Sequence, residues 1–434
     1  MLRFFQLIVR SFFRNISVQG REHLPPRGPL IFASNHPNAL IDPVLLMACL
    51  REYRIRFVAK APLFRIPVLA WILRWIGAIP VVRRMEAEGG VDYSAFFAAC
   101  VDALAAGDSV AIFPEGRSLP LPYLSPLKTG AARLAFLARE HGVDACIVPV
   151  GLNYEQGAVF RSAVVVSIGP ALFPGQWVQR GKSDPKGEIQ GLTNKITRSL
   201  EGHLFQAETY RDRELMFLLE RLHREEDRDD SWPERLSRLR RLEQGFQGLR
   251  TTHSREIEAL RELLEQYEQL SPGSDPWAPD RYPPLSGPRK LLALMGLPLA
   301  GAGWVLNAVP YQLCSVLVRN AVREDATLAA TLKVVYALFL YPLTYCGEAL
   351  LVLHLFGWTA VAAFSMGIVP LSYFTLFYME WRRQSSAARV RRRLWSGRRG
   401  WKENKEQLTS LRRRMVREVD ALAALVDKKP AEGS

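Results

Sequence analysis

The hydrophobic rhythm of the chain changes along its length. From about Gly28 to Pro170, short β-rich apolar runs alternate with helical stretches, the rhythm of a layered α/β domain. Pro29 to Ser34, Ser109 to Phe113 and Ala145 to Val150 read as strands, each leading into a polar turn. Loops at strand ends are where a rigid sheet holds reactive side chains in place. From about Ile189 to Leu270 the chain is charged and helical. Leu236, Leu239, Leu242, Phe246 and Leu249, then Ile257, Leu260, Leu264 and Tyr267, recur every three or four residues. That spacing predicts an antiparallel helical hairpin or short coiled coil, with Ser231, Trp232 and Pro233 as a helix start. Ser271 to Pro288 is dense in Pro, Gly, Ser and Asp and reads as a linker.

Beyond the linker the pattern becomes almost wholly apolar. Leu291 to Val318 carries no charge, and Val334 to Met379 carries only Glu348 and His354, which are membrane-length segments. The second is long enough for two helices turning near Phe356, Gly357 and Trp358. Gly296, Pro298, Gly301, Gly303 and Pro310 interrupt the first, predicting a broken, re-entrant or interfacial element. The basic run Arg382, Arg383, Arg389, Arg391, Arg392 and Arg393 predicts a cytoplasmic carboxyl end. An even number of crossings then places the preceding domain on the cytoplasmic side as well. Lys402 to Asp427 reads as a basic amphipathic tail helix, suited to anionic lipid or to solvent. At the other end, Phe4, Leu7, Ile8 and Phe12 fall at helical spacing among Arg3, Arg10 and Arg14. That segment suits a bilayer interface or an ordinary packed helix, and lacks the apolar run and cleavage site of a signal peptide. The expected organisation is a membrane-associated helix over 1–20, an α/β domain over 21–188 and a helical segment over 189–270, which would also serve self-association. A linker over 271–288, membrane segments over 289–380 and a basic cytoplasmic tail over 381–434 follow.

Composition narrows the partners. The 434 residues include 48% hydrophobic ones, and 57 Lys and Arg against 43 Asp and Glu leave a net charge of +14, which favours an anionic partner. Membrane phospholipid, nucleic acid and coenzyme A all fit that charge, but the arginines cluster beside apolar segments, where lipid phosphate is the simpler partner. Five cysteines stand far apart with no CxxC pair, so neither a zinc site nor a disulfide framework is expected.

The chemistry lies in five short blocks. Asn35-His36-Pro37-Asn38-Ala39-Leu40-Ile41-Asp42-Pro43 puts a histidine and a carboxylate in one turn at the end of the first strand. Imidazole can remove a proton from an alcohol attacking an acyl carbonyl, and a carboxylate on its other nitrogen holds the useful tautomer. His36 is the candidate general base and Asp42 its partner. In Phe113-Pro114-Glu115-Gly116-Arg117-Ser118, Gly116 would let backbone approach a ligand and Arg117 offers planar donors for phosphate. Between these blocks, Gly77-Ala78-Ile79-Pro80-Val81-Val82 delivers Arg83 to a loop. Farther on, Lys128-Thr129-Gly130 opens a helix whose amino end attracts anions. Ile147 to Tyr154 combines a buried strand with a proline turn and reads as shaping the site.

Together the blocks resemble the membrane glycerolipid acyltransferase superfamily, in family order and over roughly the first half of the chain; NHPNALIDP with FPEGRS is far more specific than either alone. The resemblance implies a layered α/β acyltransferase domain with a mixed sheet, and an acyl donor that is acyl-CoA or acyl carrier protein. It implies no bound cofactor or metal, and a His36–Asp42 base system. Asn35, Arg83, Glu115, Gly116, Arg117 and Lys128 would then bind a phosphate-bearing acceptor: glycerol 3-phosphate, dihydroxyacetone phosphate or lysophosphatidate. Five residues separate His36 from Asp42, where the usual family spacing has four. This is similar to a subgroup that includes fungal glycerol-phosphate and dihydroxyacetone-phosphate acyltransferases, and a bulged turn would absorb the difference. A non-catalytic membrane scaffold is the competing reading, against which the intact His36 and Asp42 count.

Overall fold

Leu30–Ser34 is buried at every position, as a strand covered on both faces must be. It is the second strand, β2, of a seven-stranded sheet. The computed structural model describes residues 2–26, 28–65, 67–82, 93–176, 184–222, 231–249, 252–270, 287–321, 329–396 and 401–427. The chain divides into two units, the first comprising Met1–Tyr210, Ser231–Arg240 and Glu324–Thr331.

In the first unit the order is α1 (Leu2–Phe12), β1 (Asn15–Gln19), β2, α2 (Ile41–Cys49), β3 (Ile55–Lys60), α3 (Pro67–Trp75) and β4 (Ile79–Val81). There follow α4 (Ser94–Ala105), β5 (Ser109–Ile112), α5 (Gly130–Glu140), β6 (Cys146–Tyr154), β7 (Ala163–Ile168) and α6 (Pro185–His203). The strands lie in the order β1-β7-β6-β2-β5-β3-β4. Neighbours are parallel except β6 and β7, which makes the sheet mixed. β6 divides its pairing: Cys146 to Val150 pair with β2 and Val150 to Tyr154 with β7. Pro149, which has no N–H to give a ladder, sits where the partner changes.

One core fills a face of this sheet. Ile31, Val110 and Ile147 meet Cys100 and Leu104 of α4, Leu134 of α5, and Leu192, Ile196 and Leu200 of α6. Ala131, Ala132, Ala135 and Ala138 give α5 a small-residue face that lets the helix lie close to the strands. Two expected boundaries therefore move. The segment expected as a membrane helix over 1–20 ends its helix at Phe12, and Asn15–Gln19 is an edge strand paired with β7. The helical segment expected from 189 begins at Pro185, where the Asp184 carboxylate accepts from the Gly187 amide at 3.0 Å, and its first helix belongs to the α/β core.

The remaining helices are α7 (Tyr210–Leu222), α8 (Trp232–Leu249), α9 (Ser254–Leu270), α10 (Gly287–Ala321), α11 (Ala329–Phe356), α12 (Trp358–Ser396) and α13 (Trp401–Asp427). The apolar stripe expected over 236–267 is shared between the units. Residues 231–240 of α8 fall in the first, where the Trp232 indole donates to the Asn153 carbonyl at 2.9 Å and Arg235 pairs with Glu155 at 2.6 Å. In the second unit Leu215 and Leu219 of α7, Leu260, Leu264 and Tyr267 of α9, and Leu408, Met415 and Val419 of α13 close one core. The tail helix thus buries its apolar stripe against protein, which places that stripe neither on lipid nor in solvent. α12 runs past 380 to Ser396, through part of the stretch assigned to the tail.

Leu294–Ala321, Ala329–Phe356 and Trp358–Arg382 are long and apolar enough to cross a membrane. Leu343, Trp358 and Met366 expose most of their surface, which lipid solvates far better than water. The break expected in the first segment is absent: α10 is one helix with Pro298 and Pro310 inside it. Proline removes one backbone bond per site, which neighbouring helices and local adjustment make tolerable in a membrane. Gly296 and Gly303 serve packing instead, whereas Gly301 has open space around it. A Cβ at Gly296 would come within 2.9 Å of the Tyr378 ring, and one at Gly303 would collide with Thr375, so both let α12 approach α10 closely. Asn307 of α10 donates to Ser372 of α12 at 3.0 Å and accepts from Tyr345 of α11 at 2.7 Å, joining three helices. Gly303→Val is therefore expected to destabilise the α10–α12 pair by about 1–3 kcal/mol, read as a lower unfolding midpoint in lipid–detergent micelles; an unchanged midpoint would contradict close packing there.

Candidate functional site

Three neighbouring parallel strands deliver the site. β2 lies between β5 and β6 and runs parallel to both, so the chain leaving each carboxyl end emerges at one edge of the sheet. After β2, Asn35 and His36 enter a tight turn that ends in α2, whose first turn carries Asp42. Within this turn Ala39 lies in the left-handed region at φ 44°. Ser118 accepts from the Ala39 amide at 2.9 Å and Thr331 from the Leu40 amide at 3.1 Å, which stabilises this uncommon conformation.

Asp42 is fully buried and ringed by donors. Its Oδ2 accepts from His36 Nδ1 and from the Asn38 amide, both at 2.8 Å, and its Oδ1 accepts from the Tyr154 hydroxyl at 2.6 Å. Three donors and the positive end of α2 take the place of water around this buried side chain. Burial, with the Asp42 charge beside it, pushes the Tyr154 phenol well above its ordinary value, so Tyr154 stays a donor. With Nδ1–H given to Asp42, the His36 lone pair resides on Nε2. The imidazole is also fixed in plane, because it stacks on Phe113 with centroids 4.0 Å apart and planes 14° from parallel.

Glu115 fixes the backbone beneath the imidazole. Its Oε1 accepts from the His36 amide at 2.8 Å and its Oε2 from the Ser125 amide at 3.1 Å, while the Leu119 amide donates to the His36 carbonyl at 3.0 Å. Burial raises the Glu115 carboxyl above its ordinary value, opposed by these two backbone donors. Asn35 acts similarly: its side chain donates to the Leu152 carbonyl at 3.1 Å and accepts from the Leu152 amide at 2.7 Å, tying the end of β2 to β6. Both were expected among the acceptor-binding residues, and both are engaged with backbone.

Gly116 has φ 73°, and a Cβ there would lie 2.5 Å from Lys128 Nζ, so the glycine makes room for the lysine to cross the turn. Lys128 and Arg117 are both exposed, which brings two cations to the FPEGRS turn. Arg83 lies outside the described residues. Cys49 and Cys100 have thiols pushed up to about 12 by burial and Cys146 to about 11, so none of these is a thiolate nucleophile. Among the described residues no three His, Cys, Asp or Glu side chains gather as a metal would require. Phe113 and Tyr154 are the contributors that sequence reasoning missed; both stood inside quoted motifs, but no spacing signals a stacking platform or a donor 112 positions from its acceptor. Removing the hydroxyl in Tyr154→Phe leaves buried Oδ1 of Asp42 without its donor, and a loss of about 1–3 kcal/mol in unfolding free energy is expected by thermal or denaturant melting; no loss would mean that the contact is dispensable.

Residues 15–153 match the family model Acyltransferase. A chloroplastic 1-acyl-sn-glycerol-3-phosphate acyltransferase of Brassica napus is 32% identical over 124 residues, covering 28% of this chain and 34% of that protein. Glycerol-3-phosphate O-acyltransferase 2 of Saccharomyces cerevisiae is 34% identical over 113 residues, covering 25% and 15%. Glycerol-3-phosphate O-acyltransferase 1 of the same yeast is 24% identical over 283 residues, covering 45% and 37%. The chain spans well under half the length of each of these relatives. The His36 turn and the FPEGRS turn both fall within the matched range, and Tyr154 lies just beyond it. The likeness to acyltransferases thus rests on residues 15–153, which carry both turns of the candidate site.

Proposed function

We propose that this chain is a membrane-bound glycerolipid O-acyltransferase. It would move a fatty acyl group from the thioester of acyl-CoA or acyl carrier protein to a hydroxyl of glycerol 3-phosphate or a related phosphate-bearing acceptor. The observation that carries this reading is the 2.8 Å contact between His36 Nδ1 and buried Asp42, which leaves Nε2 as the proton-accepting nitrogen. The likeness to two yeast glycerol-3-phosphate O-acyltransferases and the five-residue His–Asp spacing support glycerol 3-phosphate, with dihydroxyacetone phosphate beside it on the spacing. The likeness to the Brassica napus protein supports lysophosphatidate as the alternative.

Nε2 takes the acceptor hydroxyl proton as the oxygen attacks the thioester carbon, and Asp42 stabilises the imidazolium that forms. Backbone donors stabilise the tetrahedral oxyanion. On collapse the carbon–sulfur bond breaks, and the imidazolium returns its proton to the departing thiolate, leaving an ester, a free thiol and neutral His36. Arg117 and Lys128 hold the acceptor phosphate, and Gly116 leaves the lysine its path. β4 ends at Val81 on the same edge of the sheet, two residues before Arg83, which supports keeping Arg83 in that set. Asn35 and Glu115 serve as positioning residues. The catalytic unit would face the cytoplasm, where acyl thioesters are supplied; with three crossing helices in place of the even number expected, the basic carboxyl end would then lie on the opposite side.

The test uses the full chain in lipid nanodiscs with labelled acyl-CoA, or acyl carrier protein, and each of the three acceptors. Acylation of one acceptor, reduced roughly 10²–10⁴-fold in His36→Ala, is the expected outcome. A folded wild-type protein that acylates none of them from either donor would overturn the reading.

A further inference from the structure

We infer that Thr331, carried by the first turn of α11, is a positioning residue for the His36–Asp42 turn. From Asn38 to Asp42 every amide is matched, and the acceptors differ in origin. The Asn38 amide donates to Asp42 at 2.8 Å, the Ile41 amide to the Asn38 carbonyl at 3.1 Å and the Asp42 amide to the Ala39 carbonyl at 3.3 Å, all within the turn. Ser118 of the FPEGRS turn accepts from the Ala39 amide at 2.9 Å. That leaves the Leu40 amide, whose acceptor is Thr331 Oγ1 at 3.1 Å, 291 positions along the chain. Ala330 and Thr331 are the two buried residues of α11, and both fall in the first unit with the turn.

The place of this contact gives it its effect. Left-handed backbone is disfavoured for alanine, because Cβ crowds the following carbonyl oxygen. The φ and ψ of Ala39 are the mutual orientation of the two peptide planes that flank it. Ser118 holds the N–H of the first plane and Thr331 the N–H of the second, so the two hydroxyls together fix Ala39 at φ 44°. Without Thr331 the buried Leu40 amide loses its acceptor, and the second plane is free to turn toward an ordinary conformation. Asp42 follows two residues later, so its distance from His36 depends on that plane. A hydroxyl in a helix commonly bonds its own backbone, as Thr344 of α11 does by donating to the Leu340 carbonyl at 2.8 Å. Thr331 instead offers its oxygen to another element. It lies outside residues 15–153, so this part of the turn's support comes from the chain beyond the acyltransferase match. The inference rests on the acyl-transfer reading, and its test therefore includes a readout that needs no turnover.

The test compares four full-length proteins in lipid nanodiscs: the wild type, Thr331→Val, which keeps the shape and removes the acceptor, Thr331→Ser, which keeps the oxygen, and Thr344→Val, the same change farther along α11. Thr331→Ala takes the place of Thr331→Val should that variant fold poorly. With the acceptor that the wild type acylates, kcat of Thr331→Val is expected to fall roughly 10–100-fold with the acceptor KM little changed. Thr331→Ser is expected to recover most of that loss, and Thr344→Val to show none. Hydrogen exchange, followed by mass spectrometry on the peptide carrying residues 36–42, is expected to quicken in Thr331→Val and in neither of the other two variants. A wild-type kcat in Thr331→Val would overturn the proposal, as would unchanged exchange at the turn or a loss that Thr344→Val shares. A wild type that acylates none of the acceptors would instead remove the acyl-transfer reading, and the exchange comparison would then decide by itself whether Thr331 holds the turn.

Discussion

A buried negative charge organises the site. Asp42 has no access to water, and an unpaired carboxylate in that position would be prohibitively costly or would take up a proton. Every nearby feature answers that constraint. The carboxylate sits at the amino end of α2, takes one hydrogen bond from the turn that precedes it, one from β6 through Tyr154, and one from the imidazole. Under the proposed function the last matters most, because it determines which nitrogen of His36 is left to accept a proton. The left-handed Ala39, the Ser118 and Thr331 hydroxyls and the Phe113 platform all keep the imidazole where the carboxylate requires it.

Sheet order explains how residues far apart in sequence satisfy one carboxylate. β5, β2 and β6 are adjacent and parallel, so the FPEGRS turn, the His36 turn and Tyr154 reach one edge without long connections. Tyr154 depends on a further detail. β6 continues past its pairing with β2 by taking the antiparallel partner β7, and that extension carries the phenol to Asp42. The two arrangements of β6 therefore have a consequence at the His36–Asp42 turn.

The strands over 29–34, 109–113 and 145–150 were legible because buried parallel strands are continuous apolar runs, and their motifs were legible because polar residues stand immediately after them. What lay beyond reach depended on partners. Glu115 and Asn35 carry the polar groups a ligand site needs, and only the positions of the His36, Ser125 and Leu152 backbones show that they are ties. Gly296 and Gly303 have the composition of a helix break, yet their purpose is set by Tyr378 and Thr375 across an interface. Lys402 to Asp427 shows an amphipathic stripe that lipid or protein could cover equally well; α9 decides it. Local pattern specified the elements, and long-range contact specified their uses.

In the proposed reaction Asp42 holds His36 in the tautomer whose Nε2 accepts the acceptor's proton. Asp42→Asn preserves the shape of the side chain while removing the charge, so the steady-state rate of acyl transfer by that variant is the direct measurement. A fall in kcat of roughly 10³–10⁴-fold, with the acceptor KM little changed and the melting behaviour that of a folded protein, is the expected result. A folded Asp42→Asn protein that retains nearly the wild-type kcat would contradict the claim and leave the His36–Asp42 pair a structural contact.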